Sequence, residues 1–113
     1  MVETEALLVS AALEGPIGFL IAGATRWPCR GPLHVGLACA VATAVTHPQV
    51  WAAAFWAYPY FPFWPTAIVL EALVIVAEGL MIAWMAQLTL PRAMLVSLIA
   101  NSSSFLFGLW LAS

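Results

Sequence analysis

Apolar positions along the chain gather into four long runs, at about 5–25, 33–56, 66–88 and 93–112, separated by short breaks rich in proline, aromatic or charged residues. Each run is close to the ~20 residues that a helix needs to cross a ~30 Å hydrocarbon core. The pattern predicts an all-α integral membrane protein, a compact bundle of four transmembrane helices in one domain, residues 1–113.

The breaks fix where the runs end and where they bend. Pro16 removes a backbone donor inside the first run and leaves the Ala12 carbonyl without its usual partner, so a kink is expected there. In the second run His47-Pro48 offers two readings: the helix ends at a capping residue followed by a first-turn proline, or it kinks and continues to Trp56. The kink at Pro48 is favoured, because 33–46 alone is too short to cross the core. The segment from Phe55 to Pro65, with three prolines, reads as an aromatic belt at a membrane–water boundary, outside any span. A tight turn over Thr89–Arg92 leads into the fourth run.

Polar residues interrupt the apolar runs at helical spacing. Glu71 and Glu78 are seven residues apart, close to two turns, and so share one face of the third helix. Matching faces carry Ala11, Glu14, Gly18 and Ala22 in the first run, Gly36, Ala40, Thr43 and His47 in the second, and Ser97, Asn101, Ser104 and Gly108 in the fourth. Small residues let transmembrane helices approach closely, and polar ones hydrogen-bond across the gap. Turning these faces inward gives the bundle its interior. At ~1.5 Å rise per residue, Glu14, Glu78 and Asn101 fall near mid-span, and His47 and Glu71 fall nearer the outer end. A central Glu14–Glu78–Asn101 layer and an outer His47–Glu71 pair are therefore expected. Two carboxyl groups in one dry layer do not both ionise cheaply, so at least one is expected to hold a proton at neutral pH.

Composition strengthens the membrane reading: 65% of the residues are hydrophobic and only 7% charged, against about 25% charged in a soluble domain. Charge adds orientation. Arg26, Arg30 and Arg92 all fall in the first and third loops, which places those loops in the cytoplasm and both termini outside. The acidic start, with Glu3 and Glu5, does not resemble a basic secretory leader, so the first run is expected to remain as a span. No Lys/Arg cluster suited to nucleic acid or anionic lipid is present. Cys29 and Cys39 form neither a CxxC nor a zinc spacing. A faint echo of Glu5 and Glu14 in Glu71 and Glu78 allows two duplicated helix hairpins. Against it, the first pair is nine apart and lies on opposite helix faces.

Candidate chemistry is sparse. The interior network Glu14, Glu71, Glu78, His47, Thr43, Ser97, Asn101 and Ser104 reads either as hydrogen-bond glue or as a proton or cation relay. His34 and His47 are of a type that ligates haem or chlorophyll, and His47 with Glu71 of a type that binds metal. Solvation and helix capping explain these histidines without a cofactor, so none is expected. No nucleophile–base pairing or phosphate loop appears, and no enzymatic activity is expected.

Thr46-His47-Pro48 closing the second run, Glu71 and Glu78 in the third, and Asn101, Ser104 and Gly108 in the fourth resemble a pattern of small bacterial four-span membrane proteins. The resemblance covers the last two-thirds of the chain and implies the bundle in a bacterial cytoplasmic (inner) membrane, with no activity attached. Three functions are expected in descending order. The first is an accessory subunit held by larger partners, or by self-association, in a bioenergetic or transport complex within the lipid bilayer. The second is a proton- or cation-coupled carrier or channel using Glu14, Glu71 and Glu78. The third, distant, is a pigment- or haem-binding protein.

Overall fold

The computed structural model describes residues 3–112, and these form four α-helices with no strand among the described residues: α1 (Glu3–Thr25), α2 (Pro32–Ala57), α3 (Phe63–Ala86) and α4 (Leu90–Ala112). The helices run up and down in a ring. Each packs on its neighbours in the chain, α1 closes on α4, and diagonal pairs barely touch. The bundle measures 43 × 22 × 19 Å, long enough for the ~30 Å core of a bilayer.

Three of the helices, α1, α3 and α4, are long and apolar enough to cross a membrane, which marks the chain as a membrane protein. α2 is the longest at 26 residues, yet it falls outside that group. Its apolar run is interrupted by His47, Pro48 and Gln49 within one turn, which lowers its mean hydropathy. The helix nevertheless continues through Pro48 to Ala57.

Two boundaries differ from the sequence reading, both because proline is tolerated in a first helical turn, where the backbone N–H has no intrahelical partner anyway. α3 starts at Phe63 with Pro65 in its first turn. The aromatic belt is therefore shared between two helix ends and a five-residue loop, 58–62. α4 starts at Leu90, with Pro91 and Arg92 in its first turn, and the Thr89 carbonyl accepts from Ala93 N at 2.8 Å. α3 correspondingly stops at Ala86, where Gln87 takes a left-handed conformation with φ 55°.

The two ends of the bundle are built differently. At the arginine end Ala22, Val35, Cys39, Ile82, Ala86 and Val96 form a closed apolar core. There the first loop is tied to α3 by Arg30 N donating to Ala86 O at 2.8 Å, and to α4 by the Arg92 guanidinium 5.4 Å from the Trp27 ring. Toward the other end polar side chains replace that core. α1 and α2 pack closely at Gly15 and Gly36, where a methyl group on Gly36 would come within 2.9 Å of the Gly15 carbonyl oxygen, and at Gly18, where one would meet Cys39 Sγ. Glu14 is the residue next to Gly15, so its backbone lies beside the contact with Gly36.

Candidate functional site: a cavity lined by three carboxyl groups

A cavity of about 290 Å³ lies between the four helices on the side away from the arginines. α1 contributes Glu14 and Ser10 to its lining, α2 contributes Thr43, Thr46, His47 and Trp51, α3 contributes Glu71 and Glu78, and α4 contributes Asn101 and Ser104.

Its floor is a hydrogen-bonded layer around two buried carboxyl groups, Glu14 and Glu78, each 2% exposed. Thr46 Oγ1 donates to Glu78 Oε2 at 2.7 Å, and Thr43 Oγ1 and Asn101 Nδ2 each reach Glu78 Oε1 at 3.4 Å. Ser104 Oγ donates to Glu14 Oε2 at 3.0 Å. The two carboxyl groups are neighbours in this layer and both line the cavity. Glu14 Oε1 is buried and has no hydrogen-bond partner among the described residues.

Asn101 is fixed from below, because its Nδ2 also donates to Ser97 O at 2.9 Å and Ser97 Oγ at 3.1 Å. Ser97 in turn donates to the Ile75 carbonyl of α3 at 2.8 Å, which locks α4 against α3. The layer thus unites residues that stand up to 90 positions apart in the chain.

The hydroxyl groups give this layer its chemical versatility. Thr43, Thr46 and Ser104 each have a backbone carbonyl as an alternative acceptor: Cys39 O at 2.9 Å, Ala42 O at 3.0 Å and Asn101 O at 3.1 Å. Facing a carboxylate, a hydroxyl donates to it. Facing a protonated acid, it accepts the acid's O–H and gives its own hydrogen to the backbone. The same shell therefore solvates either protonation state without moving.

The outer pair expected between His47 and Glu71 does not form. Both line the cavity, but the His47 ring stacks on Trp51 with 5.8 Å between centroids, and its Nδ1 is buried without a hydrogen-bond partner among the described residues. His47 and Trp51 are one turn apart on α2, so stacking needs only local geometry, whereas a bond to Glu71 must span two helices. His47 does not cap a helix either, because α2 runs past it. No group of three His, Cys, Asp or Glu side chains suited to a metal ion occurs among the described residues. Gly108, placed on the inner stripe from sequence, lies at the cavity's outer rim with nothing near its Cα face.

Thr46 is the site residue that sequence reasoning missed. It stands three positions after Thr43, and so on nearly the same face, but the adjacent His47-Pro48 made it read as part of a break. The aromatic side chains of the wall are Trp51, Tyr58 and Phe105, of which Tyr58 belongs to the segment expected at the membrane boundary. No family model, no curated protein and no solved structure matches the chain.

Proposed function

We propose that the chain spans a bacterial cytoplasmic membrane four times and that its interior carboxyl groups bind a proton or a cation in transit. The observation that carries this reading is that Glu14, Glu71 and Glu78 line one cavity, with the inner two held by hydroxyls able to serve either protonation state. Acids acting only as glue need one protonation state and no open volume beside them. Intramembrane acids arranged along a cavity are the usual parts of a proton or ion pathway.

α2 is the fourth span in this reading. Its 26 residues give ~39 Å at ~1.5 Å per residue, and Thr43, Thr46 and His47 line the cavity. The arginine end faces the cytoplasm by the positive-inside rule, with both termini outside. The decisive measurement is ion or proton flux in liposomes carrying the purified chain, compared with Glu78→Gln at equal reconstitution. A flux that the substitution leaves unaltered, or no flux at all, removes the transport reading.

A second reading, an accessory subunit of a larger membrane complex, is favoured by the exposed aromatic rings at the α2–α3 end, among them Phe55, Trp56, Tyr60 and Trp64. Aromatic anchors of this kind are common at interfaces between membrane subunits and at the lipid boundary. Isolation at native expression decides it: co-purifying membrane subunits support it, and a monodisperse species of this chain alone excludes it.

A further inference from the structure

One oxygen of the carboxyl pair on the cavity floor lacks a donor. Glu14 Oε2 is held by Ser104, but Oε1 is buried with no hydrogen-bond partner among the described residues, on a side chain only 2% exposed. A bare buried carboxylate oxygen is costly. From within the protein, the missing hydrogen can come from a proton shared with Glu78. From outside, it can come from a ligand that enters the cavity.

The walls indicate which kind of ligand. At about 290 Å³, the cavity holds far more than one water, whose share of liquid volume is ~30 Å³. The aromatic rings of Trp51, Tyr58 and Phe105 line it, and aromatic faces attract organic cations. A divalent metal ion is poorly served, since it wants about six to eight oxygen ligands and no suitable ligand group occurs among the described residues. Four residues, Thr46, Val50, Leu70 and Val74, line both this cavity and an apolar groove of about 410 Å³ between α2 and α3. A hydrocarbon group attached to a cation would therefore find apolar surface continuous with the site.

We propose that the cavity binds an amphipathic primary ammonium, its head donating to Glu14 Oε1 and Glu78 and its hydrocarbon part lying along the α2–α3 seam, in exchange for the proton the two carboxyls otherwise share. This rests on the proton-or-cation reading and adds a ligand class and a stoichiometry. The exchange balances. Sharing one proton, the carboxyl pair carries a single negative charge. When R–NH₃⁺ enters, that proton leaves to water, and two carboxylates with one ammonium again carry a single negative charge. The net charge of a low-dielectric layer stays constant, which makes exchange cheaper than adding a cation.

The hydroxyls of Thr43, Thr46 and Ser104 meet the change by donating where they had accepted. The other titratable groups around the pair are Cys39 and His47 from α2, Tyr58 just after it and Glu71 from α3, while α4 supplies the neutral Asn101 and Ser104.

The test is calorimetric titration of the purified full chain with hexylamine, in two buffers of different ionisation enthalpy so that released protons are counted. Hexanol and ammonium chloride serve as probes lacking the ammonium and the chain respectively. Saturable binding of hexylamine alone is expected, with about one proton released per amine. Glu14→Gln is expected to weaken it about tenfold or more, the loss of a charge-assisted hydrogen bond. The proton count on the native chain needs no variant and decides the matter even where Glu14→Gln fails to fold. Binding without proton release, or equal binding of hexanol, overturns the proposal. Absence of amine binding alongside a Glu78-dependent ion flux overturns it while leaving the proton-or-cation reading intact, and absence of both removes the two together.

Discussion

Replacing Gly36 with alanine is expected to loosen the seam that holds Glu14 in place, and the structure sets the size of the effect. A Cβ there would sit 2.9 Å from the Gly15 carbonyl oxygen and 3.1 Å from Phe19 Cβ. A relaxed C···O contact lies at ~3.3–3.6 Å, so the two helix backbones must separate locally by roughly half an ångström. Overpacking of this kind costs ~1–3 kcal/mol, and the helix preference of alanine over glycine returns ~0.5–1 kcal/mol. The net expectation is a destabilisation of ~0–2.5 kcal/mol. Gly108→Ala is the matched control, because nothing lies within 4 Å of its added methyl, and only the favourable preference of ~0.5–1 kcal/mol should register. Reversible unfolding of both variants in the same micelle, followed by circular dichroism, gives the two values. If Gly36→Ala proves as stable as Gly108→Ala, close helix contact does not position α1 on α2 and the account of how Glu14 is held is wrong.

Thr46→Val removes the 2.7 Å bond to Glu78 Oε2 and is expected to cost ~0.6 kcal/mol and at most ~1.7 kcal/mol, the average and the upper end for hydrogen bonds between membrane helices. The carboxyl C=O stretch assigned by Glu78→Gln should shift in the infrared spectrum, and an unshifted band would deny the contact. Cys29 is half-buried in the arginine-bearing loop and Cys39 fully buried, so a membrane-impermeant maleimide should label only Cys29, and only from the cytoplasmic face. Labelling from outside would invert the proposed topology. Burial, and secondarily the nearby Glu71 carboxylate, raise the Tyr58 phenol above its ordinary value. Both disfavour the phenolate, so in a Tyr60→Phe background Glu71→Gln should lower the ultraviolet titration midpoint of Tyr58 only in part. A midpoint that does not fall would remove Glu71 from its surroundings. Arg92→Gln should remove ~0.5–1 kcal/mol of cation–π attraction and change Trp27 fluorescence, with an unchanged spectrum counting against the 5.4 Å contact.

Helix count and helix type were legible in the sequence because long apolar runs and proline breaks depend on local composition alone. Glu14, Glu78 and Asn101 could be placed on one level from rise per residue, since that arithmetic too is local. The expected His47–Glu71 pair relied on depth alone, and depth does not say which neighbour a side chain turns to. Trp51, one turn away on the same helix, takes the His47 ring instead. Helix starts at Phe63 and Leu90 were missed because proline was read as a breaker, where a first turn has no need of its N–H. The cavity itself was not legible, because open volume depends on how four surfaces fit together.

The polar character of α2 bears on how the protein is made. Thr43, Thr46, His47, Pro48 and Gln49 crowd two turns of this helix, and in isolation it would partition into lipid less readily than its three companions. Thr43 and Thr46 find partners on α3, and α1 supplies the closest-packed surface for α2. In the proposed topology α2 therefore enters the bilayer with help from its neighbours, as half of a hairpin whose other half is already apolar enough. Biogenesis and the proposed activity make opposite demands on the same residues: apolar replacements at Thr46 or His47 would ease insertion of α2 while stripping polar groups from the cavity wall.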